Sequence, residues 1–368
     1  MATAAAAAAA TAVVRSQRPR RRPRASPPSR AAGRDARRDP ETREKKPALI
    51  IPGFLSGFQK YEEMRRLLES STLGLGPIAI APVTIADWVP TLLGGDFRGI
   101  LDKVDGAADE LLSRSKARKI AIVGHSAGGW LARTWLGRAP YSGGKRYRGV
   151  DRCDVLLTLG TPHYSLEAYP FGRIEERRAG DGLDEDLADA DADDARADDT
   201  WTQDDTWTPE SDDMWTQDDT WTPERARGST LALTNFRYPG AFERGVRYVS
   251  VCGAGEIGAD FDLLALLRGG AGDAKKDALR SMFAGVSYEA STGSSPRGVD
   301  GDGVTPIARA LLDGSETLVL DGVAHQPGGE DDAPWYGSPG VVEKWAPLLV
   351  AAEDDEDEDD DDDSNRRD

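Results

Sequence analysis

The chain predicts an α/β fold, a mostly parallel central sheet with helices on both faces. Three observations predict it. From Pro47 onward, short aliphatic runs alternate with segments whose apolar residues recur at helical spacing, and strand, helix, strand order of this kind folds as parallel strands joined by crossover helices. The alternation fails over one long stretch, residues 174–228, which is far beyond an ordinary connection. No apolar run reaches the ~20 residues that a membrane-spanning helix needs, so a soluble protein is expected, with peripheral membrane contact left open.

Each element has its own signal. "ALIIPGF" reads as a short buried strand ending in a glycine turn, and "YEEMRRLLESSTLG" as a helix stopping at glycine. "PIAIAPV" is a second strand. Phe97, Ile100, Leu101, Val104, Ala108, Leu111 and Leu112 then form an apolar stripe at helical spacing. "KIAIV" follows as a third strand, and "GHSAGGWLARTWLG" as a corner and helix. Strands "DVLLTLG" and "VRYVSVCG", helix "AKKDALRSMFAG", strand "ETLVL" and helix "VVEKWAPLLVAA" complete the order.

Charge divides the chain as sharply as hydrophobicity does. The formal net charge is −18 over 368 residues. Residues 1–46 carry 13 basic and 4 acidic side chains, residues 174–228 carry 5 and 20, and residues 353–368 carry 2 and 12. The remainder is left at −2, nearly neutral, which argues against a nucleic-acid groove. The Ala-, Arg-, Ser- and Pro-rich start, whose first acidic residue is Asp35, reads as an organelle transit peptide over 1–46, plastid favoured over mitochondrion. Residues 47–352 are the expected folded domain. Residues 174–228 contain "WTQDDTWTPESDDM" followed by "WTQDDTWTPE" and are expected to be a disordered acidic insertion; 353–368 are expected to be a disordered tail. Two cysteines, Cys153 and Cys252, fall at opposite strand ends and are expected to be reduced.

The chemistry is concentrated at "AIVGHSAGGW". With 40 glycines in the chain, G-x-S-x-G alone is a weak signal. Its context is stronger, because Ser126 falls where a buried strand turns into a helix, which is the nucleophile elbow. The corner lifts the serine oxygen clear of the sheet, Gly124 and Gly128 let neighbouring backbones pack close, and the helix start aims its N–H groups at the reacting centre.

A serine hydroxyl needs a base. The histidines are His125, His163 and His325. His125 is adjacent to the serine and its side chain is expected to point away from the elbow; His163 precedes any plausible acid. With this elbow the order is Ser, acid, His, which selects His325 in "LVLDGVAHQP". The acid is expected at Asp302, where "DGVTP" makes a turn into a helix; Asp300 is the fallback and Asp321 the weaker choice. The D-x-D-G run is not read as a calcium loop, because the twelfth position from Asp300 is Leu311. No cofactor or metal is expected. Oxyanion donors are expected from the N–H groups of Ala127 and Phe54. Leu55, Trp88, His125, Trp130 and His163 are candidates to line the substrate site, Trp130 being equally readable as core.

"PGFLSG", "GHSAGGW", "LGTPH", "YPGAF", "GDGVTP", "GVAHQP" and "PWYGSP" occur in an order that resembles the α/β-hydrolase superfamily, specifically the lipase-like hydrolases of plant and algal plastids. The resemblance covers nearly all of 47–350 outside the tryptophan-rich insertion. By it, Ser126, Asp302 and His325 match the triad, and Phe54 and Ala127 the oxyanion hole. Where many lipases carry His-Gly at the oxyanion strand, Pro52 precedes Gly53 here. The resemblance implies hydrolysis of a carboxylic ester, a lipid acyl ester favoured, without fixing the substrate. An acyltransferase would use the same triad; a non-catalytic binding module would not need all three residues. The oligomeric state is not legible.

Overall fold

A computed structural model of the chain describes residues 14–15, 45–165, 174, 229–260, 273–328 and 333–350. The strands are β1 (Val14–Arg15), β2 (Lys46–Ile51), β3 (Leu75–Ile80), β4 (Ile120–His125), β5 (Cys153–Leu159), β6 (Arg247–Ala254) and β7 (Glu316–Asp321). They lie in the order β1-β7-β6-β5-β4-β2-β3. Every pairing from β3 across to β7 is parallel; β1 alone is antiparallel, a two-residue contact on the β7 edge.

The helices are α1 (Glu62–Ser70), α2 (Ile85–Leu92), α3 (Arg98–Ser115), α4 (Ala127–Leu136), α5 (Thr230–Arg237), α6 (Asp273–Thr292), α7 (Ile307–Ala310) and α8 (Pro339–Trp345). Successive strand residues point to opposite faces, and β2 shows both being buried. Leu49 and Ile51 enter one core with Ile122, Leu101 and Val104 of α3, and Trp130 and Leu131 of α4. Ala48 and Ile50 enter the other, with Val123, Leu157, Val251, Met64 and Leu68 of α1, and Val342 and Trp345 of α8. A sheet covered on both sides needs aliphatic strands throughout, which is why these runs are continuous rather than alternating.

Two elements differ from the sequence expectation. Helix α2 is not among the expected elements: it is only eight residues long and holds Pro90, which reads as a helix breaker, and a capping box between Thr84 and Asp87 starts it. Helix α6 extends eight residues or so beyond "AKKDALRSMFAG" in total, from Asp273 to Thr292. Strand β2 begins at Lys46, one residue before the expected domain boundary; the Lys46 N–H bonds the Gly74 carbonyl (2.8 Å) and its ammonium pairs with Asp154. Ile174, expected to open the insertion, packs against the α3–α4 core. The tryptophan repeats and the acidic tail lie outside the described residues. Both cysteines are buried and free.

Candidate active site

The parallel strands end at one edge, and the chain's serine corner sits there. Ser126 follows β4 and opens α4 with φ 52° and ψ −126°, a conformation costly for a residue with a Cβ. Close packing imposes it. A Cβ at Gly124 would lie 2.5 Å from the Gly129 Cα, and one at Gly128 would strike the Ile51 carbonyl oxygen, so strand, corner and helix fit only with glycine at both places. The Ser126 N–H bonds the Leu159 carbonyl (2.9 Å), which ties the corner to the end of β5.

The next residue, Gly160, lies against the acid and the base. A Cβ there would strike Asp302 Oδ2 and stand 2.9 Å from His325 Nδ1. His325 Nδ1 and Asp302 Oδ2 are 2.7 Å apart and both side chains are buried. The same Oδ2 accepts the Tyr336 hydroxyl (2.6 Å), while Oδ1 accepts the N–H groups of Thr305 (2.7 Å) and Val304 (3.0 Å). Burial alone would raise this carboxyl. The charge and hydrogen bond of His325, with the donors from Tyr336 and Thr305, outweigh it and hold Asp302 below the usual carboxylate range. The carboxylate is therefore fixed, charged and shared with one imidazole. The Asp302 carbonyl also accepts the His325 N–H (2.8 Å), so acid and base are joined through backbone and side chain together.

Asp300 instead accepts the Gly255 N–H (2.7 Å), and Asp321 is exposed at the end of β7. Among the three aspartates read from the sequence, the His325 imidazole meets Asp302. Asp300 and Asp302 thus have separate partners, and among the described residues no group of three or more His, Cys, Asp or Glu side chains is placed to hold a metal ion.

Ser126 Oγ forms no hydrogen bond to His325 in this structure; such contacts commonly tighten only when substrate is bound. Ala127, the first residue of α4, has no acceptor within its own helix for its N–H. Gly53 brings the other loop against the serine, with a Cβ there falling 2.8 Å from Ser126 Cβ. Phe54 follows and packs edge-on against Trp88 (ring centroids 5.3 Å).

Of the residues expected to line the site, Leu55 is 40% exposed, whereas Trp88, His125, Trp130 and His163 are buried. Trp130 stacks edge-on with Phe97 (5.1 Å) as part of the core. His163 is enclosed by Thr158 Oγ1 at Nε2 (3.2 Å) and by the Arg133 guanidinium at Nδ1 (3.4 Å), and Asn235 donates to its carbonyl (2.8 Å). Burial first, and Arg133 second, push its pKa well below the ordinary histidine value. His125 does not turn away from the site as expected. Its Nδ1 meets the Tyr61 hydroxyl (2.7 Å) and its Nε2 the His325 carbonyl (2.9 Å), because the last residue of β4 is held between α1's leading turn and the His325 loop. Burial and the neighbouring His325 push it down to about 3.

Three contributors had no assigned role in the sequence: Tyr61, Tyr336 and Gly160. Tyr336 lies in "PWYGSP", a segment used only for its resemblance, and Tyr61 opens a segment read simply as helix. Nothing in a hydropathy pattern separates a buried tyrosine that packs from one whose hydroxyl ends on a carboxylate.

No protein-family model matches the chain, and no curated protein sequence matches it. Among solved structures, the chain is similar to a pyrethroid hydrolase (21% identity, TM-score 0.24), over 38% of this chain and about half, 51%, of that one. It is similar to tomato methylketone synthase I, solved with 2-tridecanone, at 13% identity and TM-score 0.33, covering 83% of this chain and 96% of that one. A bromoperoxidase from Bacillus anthracis is similar at 14% identity and TM-score 0.30, covering 83% and 90%. The chemistry of the site rests on its own distances and not on these likenesses. A parallel sheet covered on both faces, a strained serine at the β4–α4 corner, and an Asp–His pair contributed by later loops at the same edge make the fold an α/β-hydrolase architecture.

Proposed function

We propose that the protein is a serine hydrolase of carboxylic esters, with lipid acyl esters the favoured class. One observation carries the reading: a buried, hydrogen-bonded Asp302–His325 pair stands at the strand edge where Ser126 is held at positive φ. In the proposed reaction His325 Nε2 takes the Ser126 proton as Oγ attacks the acyl carbonyl. The N–H groups of Phe54 and Ala127 receive the oxyanion, each such donor being worth about 3 kcal/mol in the transition state. His325 then protonates the leaving alcohol, the acyl group rests on Ser126, and water activated by the same imidazole releases the acid. Asp302 keeps Nδ1 protonated, which leaves Nε2 as the base. No step draws on a cofactor.

The lipid preference rests on Phe54 and Leu55 of the loop after β2, Leu55 being 40% exposed and Phe54 backed edge-on by the buried Trp88, an apolar edge that suits an acyl chain. Hydrolysis of p-nitrophenyl esters of rising chain length tests both parts. Turnover that Ser126→Ala abolishes, with kcat/KM rising from acetyl to longer chains, is the expected result; a folded parent that hydrolyses none of them refutes the reading. Plastid residence is proposed from residues 1–46, and import of the full chain into isolated plastids with appearance of a shortened form is its test.

A further inference from the structure

The acid end of the triad uses every polar group of the Asp302 carboxylate, yet a second buried chain of hydrogen bonds remains that the reaction does not call on. It begins at the Gly53 N–H, which lies 2.9 Å from the Tyr61 hydroxyl. That hydroxyl lies 2.7 Å from His125 Nδ1, and His125 Nε2 lies 2.9 Å from the His325 carbonyl oxygen. Its direction is forced by chemistry. A carbonyl only accepts, so Nε2 carries the proton; a buried neutral imidazole then leaves Nδ1 bare. Tyr61 must therefore donate to Nδ1 while its oxygen accepts the Gly53 N–H.

The ends of this chain are informative. Gly53 supplies the peptide whose N–H belongs to Phe54, the second oxyanion donor. The other end is the backbone of the base. The middle, His125, precedes Ser126 and carries the same strand end as the nucleophile. The ring is enclosed by Tyr61, Trp335, Tyr336 and His325, with centroids 4.9–5.8 Å away. All three reacting parts are thus tied to one imidazole that none of the bond-making steps needs.

Building on the serine-esterase reading, we propose that His125 and Tyr61 are positioning residues: their hydrogen-bonded chain fixes the oxyanion loop and the His325 backbone relative to Ser126. Neither touches substrate. The chain holds the Phe54 donor and the base in register for the transition state, so its loss affects kcat and not ground-state binding.

The test removes one oxygen. Tyr61→Phe keeps the ring and its packing but leaves the Gly53 N–H and His125 Nδ1 without their partner. On p-nitrophenyl butyrate we expect kcat to fall ~10–100-fold with KM within about twofold. Affinity for an alkyl trifluoromethyl ketone, whose tetrahedral adduct places an oxyanion between the two N–H donors, should fall by about the same factor. His125→Leu should fall at least as far, the double variant no further than His125→Leu alone, and His125→Gln, which can still donate to the His325 carbonyl, should recover part of the loss. Thermal midpoints of each variant show whether it is folded. A folded Tyr61→Phe with parental kcat and ketone affinity, or losses that multiply independently in the double variant, overturns the proposal. A parent that neither hydrolyses the ester nor binds the ketone instead refutes the esterase reading on which it stands.

Discussion

Two buried histidines, one closing β4 and one just past β5, look alike by every property except connection. Both His125 and His163 are enclosed, and burial pushes the pKa of both down. His125 is bonded to the His325 carbonyl and to the Tyr61 hydroxyl, which in turn accepts the Gly53 N–H. His163 is bonded to Thr158 and to Arg133, whose guanidinium also reaches Asn235 (2.8 Å) and the Tyr238 carbonyl (2.5 Å). One histidine joins the reacting loops; the other helps join α4 to α5. Burial and a shifted pKa are therefore poor guides to catalysis here, and the hydrogen-bond partner is the informative quantity.

The comparison predicts a graded set of effects. Largest is Asp302→Asn, which changes the tautomer presented to Ser126 and should cost about 10⁴ in kcat, measured on a short soluble ester with KM little changed. Phe54→Pro removes the N–H of the second oxyanion donor and should cost ~10²–10³ in kcat in the same assay. The two histidines should then separate. His163→Asn, outside the reacting loops, should keep kcat within about threefold and act on stability instead, by about 1–3 kcal/mol from disturbed buried hydrogen bonds. A kcat loss for His163→Asn as large as that for His125→Leu would break the distinction.

Acid should treat the two histidines alike. Each has a folded pKa below its unfolded one, so below about pH 6.5 the unfolded chain binds protons that the folded chain refuses. Stability then falls as pH falls, by up to ~1.4 kcal/mol per pH unit for each ring. Asp302, also lowered, adds a loss of the same sign as pH falls through its folded value. Thermal midpoints between pH 7 and pH 5 should drop for the parent and drop less steeply for His163→Asn. The smallest effect should come from removing residues 1–44: β1 is only a two-residue edge contact, so the midpoint should shift by no more than a few degrees and kcat should hold.

The fold and the Asp302–His325 pairing of the candidate site are legible in the sequence. The order of strands and helices followed from aliphatic runs and helical spacing, and Ser126, Asp302 and His325 followed from one elbow and the chain order it implies. The choice of Asp302 over Asp300 turned on a turn leading into a helix, and the structure shows why the turn matters: its backbone N–H groups bind one carboxylate oxygen and leave the other for the imidazole. What escaped the sequence is of one physical kind. Tyr61 and Tyr336 act through a terminal hydroxyl whose partner is distant in the chain, and the His125 ring, expected to point away from the elbow, finds both of its partners at positions far from it in sequence. Helix α2 escapes a reading from sequence because it is short and carries Pro90 in its interior.

In the proposed function, Ser126 is a nucleophile activated by His325. The most direct test is labelling of the purified chain with a fluorophosphonate, followed by mass mapping of the adduct. A single adduct on Ser126 is expected, absent in Ser126→Ala and formed at least ~100-fold more slowly in His325→Ala. A folded parent that takes no label, or an adduct on another residue, would contradict it.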